Sequence, residues 1–92
     1  MYRVKLICIG VPPAAGGEAA SDITEEFAEH RRWFSNVSCR WDGARLVLEA
    51  DSDFDSDGIA LSDEFSDCVS AYVAGDFDST ISVESVAKIG EL

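Results

Sequence analysis

Between Arg45 and Phe65 the apolar spacing of this chain changes period, and few small folds accommodate that change. Leu46, Val47 and Leu48 form a compact apolar run of strand length. Past Asp51, Asp53, Asp55, Asp57 and the turn-forming Gly58, the apolar residues Leu61, Phe65, Cys68, Val69 and Tyr72 recur at spacings of three and four. The stretch therefore predicts a strand, an acidic loop and a helix over about residues 59 to 74, with Gly75 as the glycine that ends it.

The flanking segments extend the pattern in both directions. Tyr2, Val4, Leu6 and Cys8 alternate with Arg3, Lys5, Ile7 and Ile9, which predicts a first strand. Residues 10–20 hold two prolines, three glycines and mostly small residues without periodicity, and read as a loop. A helix over about 22 to 35 follows, with Asp22 and Glu25 in capping-box register, Ile23, Phe27, His30 and Phe34 recurring at helical spacing, His30 on or beside the buried stripe, and Arg31 and Arg32 near its end. Val37 to Trp41 and Arg45 to Ala50 flank Asp42-Gly43 as a hairpin. Asp76-Phe77-Asp78 reads as a turn, the β-branched run Thr80 to Val86 as a fourth strand, and Gly90-Glu91-Leu92 as a frayed end.

Strand, helix, strand, strand, helix, strand is the order of the ferredoxin-like α+β arrangement βαββαβ, a four-stranded antiparallel sheet with both helices on one face. On that plan Tyr2, Val4, Leu6, Val37, Cys39, Trp41, Leu46, Leu48, Ile81 and Val83 point at the helices, and Leu6, Leu48, Phe27 and Phe65 form the centre of the core. Arg3, Lys5, Ile7, Arg40, Arg45, Val47, Glu49, Ser82, Glu84 and Lys88 occupy the opposite face, with Ile9 and Val86 adding to its apolar part.

At 92 residues the chain fits one ferredoxin-like domain over 1–92, and 47% hydrophobic residues supply a core. Eighteen acidic against seven basic residues give a net charge of -11. Such a surface repels phosphate backbones and anionic lipid, so nucleic acid and membrane are not the expected partners. The start of the chain lacks a signal-peptide pattern, and Cys8, Cys39 and Cys68 are odd in number and widely spaced; the expectation is a cytoplasmic protein with reduced, packed thiols.

The run Asp53-Phe54-Asp55-Ser56-Asp57-Gly58-Ile59-Ala60-Leu61-Ser62-Asp63-Glu64 resembles the twelve-residue EF-hand calcium loop. The resemblance implies Asp53, Asp55, Asp57, the Ile59 carbonyl and Glu64 as calcium ligands, with Gly58 allowing the sharp turn. It covers thirteen residues with Phe65, and its entering segment reads as a strand where an EF-hand has a helix. An acidic, solvated loop leading into a helix is the alternative.

A catalytic role would fall to the region of His30, the one histidine, yet no Ser or Cys can be paired with it from spacing alone. The arginine-bearing glycine loop of acylphosphatases, the C-x-x-C of heavy-metal domains and the exposed aromatics of RNA-recognition folds are all missing from their positions. What the sequence supports first is an acidic, non-catalytic binding or regulatory domain that forms a homodimer, or takes a protein partner, through its open sheet face: Arg3, Lys5, Ile7, Arg40, Arg45, Val47 and Glu49. The same basic residues can instead pair across strands with Glu49 and Glu84. A calcium-binding module is the second expectation, and a small enzyme the third.

Overall fold

The computed structural model describes residues 1–73, 75 and 78–90. Its elements are β1 (Tyr2–Ile9), α1 (Pro13–His30), β2 (Ser35–Trp41), β3 (Leu46–Ser52), α2 (Ile59–Tyr72) and β4 (Thr80–Lys88). The strands form one sheet in the order β2-β3-β1-β4 with every pair antiparallel, which is the ferredoxin-like arrangement. Leu6, Leu48, Phe27 and Phe65 are fully buried at its centre, joined by Val4, Cys8, Ile23, Leu46 and Leu61.

The first helix begins nine residues earlier than the spacing predicts. Pro12 and Pro13 start it rather than prevent it: Pro13 lies in the first turn, where its missing N–H has no helical partner to lose, and the Pro12 carbonyl accepts the first bond from Ala15 N at 2.9 Å. Gly16 stands in the helix interior because nothing larger fits there, since a Cβ would run into the Trp41 ring. Asp22 and Glu25 consequently sit mid-helix and cap nothing.

At its other end α1 stops at His30, and Arg31 turns away with its N–H still bonded to the Phe27 carbonyl at 3.1 Å. Phe34 reaches the core from the turn that follows, packing on Phe27 at a centroid distance of 5.9 Å. His30 therefore does not belong to the buried stripe; its side chain is 65% exposed, beside Glu29 at 3.7 Å.

In α2, Val73 in an extended conformation ends the helix, and Gly75 lies beyond that cap. Asp76 and Phe77 of the expected turn and Glu91 and Leu92 of the expected frayed end lie outside the described residues. The fourth strand runs past Val86 to Lys88, and Ile89 N continues the pairing to Met1 O at 2.9 Å.

A bulge changes the faces of β4. Leu6 pairs with Val83 while Lys5 pairs with Ser85, so Glu84 is an extra residue and the alternation inverts after it. Val86 joins the core side and Lys88 falls opposite Tyr2, both on the helix side and not on the open face that strict alternation predicts.

Candidate functional site

The open face of the sheet is an ordered set of ion pairs over an apolar floor. Arg3 reaches across to Asp51 on β3 through two bonds, Nε to Oδ1 at 2.9 Å and Nη2 to Oδ2 at 3.0 Å, and Asn36 Nδ2 donates to Oδ2 at 2.9 Å. Asp51 is only 2% exposed. The Arg3 hydrogen bond holds its carboxyl below the usual range, against the upward push of burial and with help from Asn36. Lys5 pairs with Glu84 at 3.2 Å, Arg40 with Glu49 at 3.4 Å and Arg45 with Asp42 at 2.9 Å.

Beneath these charges Val47 is 1% exposed within a single chain, and Ile7, opposite it on β1, is buried too. Arg40 is the register neighbour of Val47, and long basic side chains commonly cover apolar surface with their methylene stems. The structure thus brings Arg3, Lys5, Ile7, Arg40, Val47 and Glu49 onto one face and places Arg45 at the hairpin. There Asp42 Oδ1 also accepts from Ala44 N and Arg45 N, at 3.0 and 2.7 Å. Glu49 and Glu84 are the partners cross-strand pairing predicts. Asp51 is the one sequence reasoning missed, although it continues the alternate-residue phase of Val47 and Glu49.

The acidic loop serves α2. Asp55, buried, accepts from Ala60 N at 3.1 Å and Leu61 N at 3.0 Å, while Asp57 Oδ1 accepts from Ile59 N at 3.0 Å. These amides belong to the first turn, where a helix has no carbonyls of its own to offer. Asp53 is exposed and makes no ion pair or side-chain hydrogen bond among the described residues, and the Ile59 side chain is exposed.

Glu64 turns toward α1, bonding Arg31 Nε at 2.5 Å, and Arg31 Nη1 lies 3.2 Å from Glu26 Oε2. Of the five residues the EF-hand resemblance implies, the structure gathers Asp55 and Asp57 at the start of α2 and sends Glu64 into a bridge between the helices. Among the described residues no three His, Cys, Asp or Glu side chains are arranged to hold a metal ion.

Beside His30 lies an open cavity of about 190 Å³ lined by Asp22, Glu25, Glu26, Glu29, His30 and Tyr72. Four of these six residues are acidic, and Tyr72 donates to Glu26 Oε1 at 3.2 Å. Burial pushes the Cys39 thiol up to about 12 and the Cys68 thiol up to about 11, so both are protonated near neutrality, and the thiolate is the nucleophilic form.

One surface feature was not legible in the sequence. Phe34, buried, is flanked by Trp33 at 6.1 Å and Phe54 at 5.6 Å, which are 54% and 49% exposed. Trp33 and Phe34 are adjacent in the chain, but nothing in their spacing announces Phe54. In comparisons with protein families, curated proteins and solved structures, nothing matches this chain.

Proposed function

We propose that this chain is an acidic, non-catalytic binding or regulatory domain that docks a second copy of itself or a protein partner through the outer face of its sheet. The observation that supports it is the ion-pair layer on that face, anchored by the two-bond Arg3–Asp51 pair, over a floor already closed by Ile7 and Val47. A prearranged polar surface costs little side-chain ordering on association. The contact on this reading is made by the rim of Arg3, Lys5, Arg40, Arg45 and Glu49, with Ile7 and Val47 as support below. Three free cysteines are in keeping with a cytoplasmic, reducing setting.

The test is sedimentation of the wild type and of a Lys5→Glu, Arg40→Glu double variant across a concentration series. Both substitutions break partly exposed pairs that contribute about 0 to 1 kcal/mol each, and since Lys5→Glu also sets a new carboxylate beside Glu49 and Glu84, circular dichroism should confirm that the variant is folded. A self-association that weakens in the variant supports the proposal, and one unchanged by it removes the sheet face from the contact.

A further inference from the structure

The basic residues point to a second surface. In a chain of eighteen acids, Arg3, Lys5, Arg31, Arg40 and Arg45 each hold a carboxylate. Arg32 is exposed and holds none among the described residues. It precedes Trp33 at one end of the aromatic row, while Asp53, an exposed carboxylate without an ion pair among the described residues, precedes Phe54 at the other.

A cation and an anion left open at opposite ends of a half-exposed apolar row form a surface complementary to itself under a two-fold rotation. We propose that two copies of this chain associate through the Trp33-Phe34-Phe54 row, with Trp33 of each copy over Phe54 of the other and Arg32 of each facing Asp53 of the other. This rests on the reading of the chain as a self-associating module but places the contact on the aromatic row instead of on the ion pairs of the sheet face.

The chemistry favours a second copy as the occupant. Exposed aromatic rings gain from stacking on other rings, and an acidic chain supplies the carboxylate that Arg32 lacks. The net charge of -11 opposes association at long range, but at about 0.15 M salt it is screened beyond roughly 8 Å while contact pairs persist. Two exposed rings a side make a small contact, so the dimer should be weak, with a dissociation constant on the order of 10 to 100 μM.

The decisive experiment is sedimentation equilibrium of Arg32→Glu and Asp53→Lys, alone and mixed in equal amounts, with circular dichroism confirming that each is folded. Each variant alone sets like charges against each other and should weaken dimerisation at least about tenfold. In the mixture the glutamate introduced at position 32 of one copy faces the lysine introduced at position 53 of the other, while the second pair keeps Arg32 against Asp53. Opposite charges then meet at both pairs, and a heterodimer should be recovered. Trp33→Ala should weaken association without recovery on mixing. Folded single variants that dimerise like the wild type, or a mixture that stays monomeric, overturn the proposal. Dimers lost only in Lys5→Glu, Arg40→Glu overturn it while leaving self-association through the sheet intact, and a wild type monomeric at about 1 mM, well above the expected dissociation constant, overturns both.

Discussion

Replacing Asp55 by Ala should be among the costliest changes outside the apolar core. Its carboxylate is buried and accepts the N–H groups of Ala60 and Leu61, and Leu61 is itself fully buried, so water cannot easily replace the lost acceptor. Hydrogen bonds to a charged group contribute about 1.5 to 3 kcal/mol each, and taking the low end for both gives a loss of about 3 kcal/mol. That exceeds the 0.5 to 2 kcal/mol or so of an ordinary exposed helix cap, as burial requires. For a domain of this size it lowers the thermal midpoint by roughly 12 to 24 °C. Asp55→Asn keeps one acceptor oxygen but sets its NH2 against the other backbone N–H, so it should lose nearly as much, while Asp53→Ala, at an exposed side chain without a partner among the described residues, should stay within about 0.5 kcal/mol.

Urea unfolding followed by circular dichroism, in EDTA and again with equal concentrations of calcium or magnesium at constant ionic strength, separates capping from metal binding. With Asp55 and Asp57 committed to amides and Glu64 to Arg31, the expected result is the same loss in EDTA as in calcium, and equal responses to the two cations. A loss below about 0.5 kcal/mol in EDTA would refute the capping argument. A stabilisation specific to calcium and abolished by Asp55→Asn with Glu64→Gln would establish the EF-hand-like ligand set in its place.

Two further outcomes follow from the packing. Gly17 faces open space in α1, so Gly17→Ala should stabilise by about 0.5 to 1 kcal/mol, whereas Gly16→Ala drives a methyl into the Trp41 ring and should destabilise by about 1 to 3 kcal/mol; equal effects in thermal melts would contradict the seating of Trp41 on α1. Asp51, whose carboxyl titrates below the usual value of about 3.9 when folded, contributes stability that is complete above that value and lost as pH falls through the lower folded one. Asp51→Asn should therefore lower stability at pH 7 and flatten the acid limb of the stability curve, leaving the slope from Asp42, whose carboxyl is also lowered; an unchanged acid limb would show that the Arg3 bond does not persist in solution.

The element order and the core were legible because Leu6, Leu48, Phe27 and Phe65 follow clean periods, and burial enforces them. The start of α1 was not, since Pro12, Pro13, Gly16 and Gly17 carry the local signature of a loop. What overrides it is tertiary: the space for Gly16 is set by Trp41, twenty-five positions away. Strict alternation likewise fails in β4, because no residue type there marks Glu84 as supernumerary. The open-face residues were found by phase, but the burial of Val47 depends on side chains from neighbouring strands, and the aromatic row joins residues twenty positions apart. In each case the missing information was a contact between segments rather than a property of one.

The bulge in β4 also loosens the relation between chain length and fold. Across it Leu6 already faces Val83 and Lys5 already faces Ser85, so the strand is two independently framed pieces spliced at Glu84. Deleting Glu84 removes its pair with Lys5 yet returns no other side chain to the wrong side of the sheet. Deleting Ser82 instead would shift Ile81 out of phase with Cys8 and expose it. Within β4 the sheet thus carries a position at which its length is negotiable.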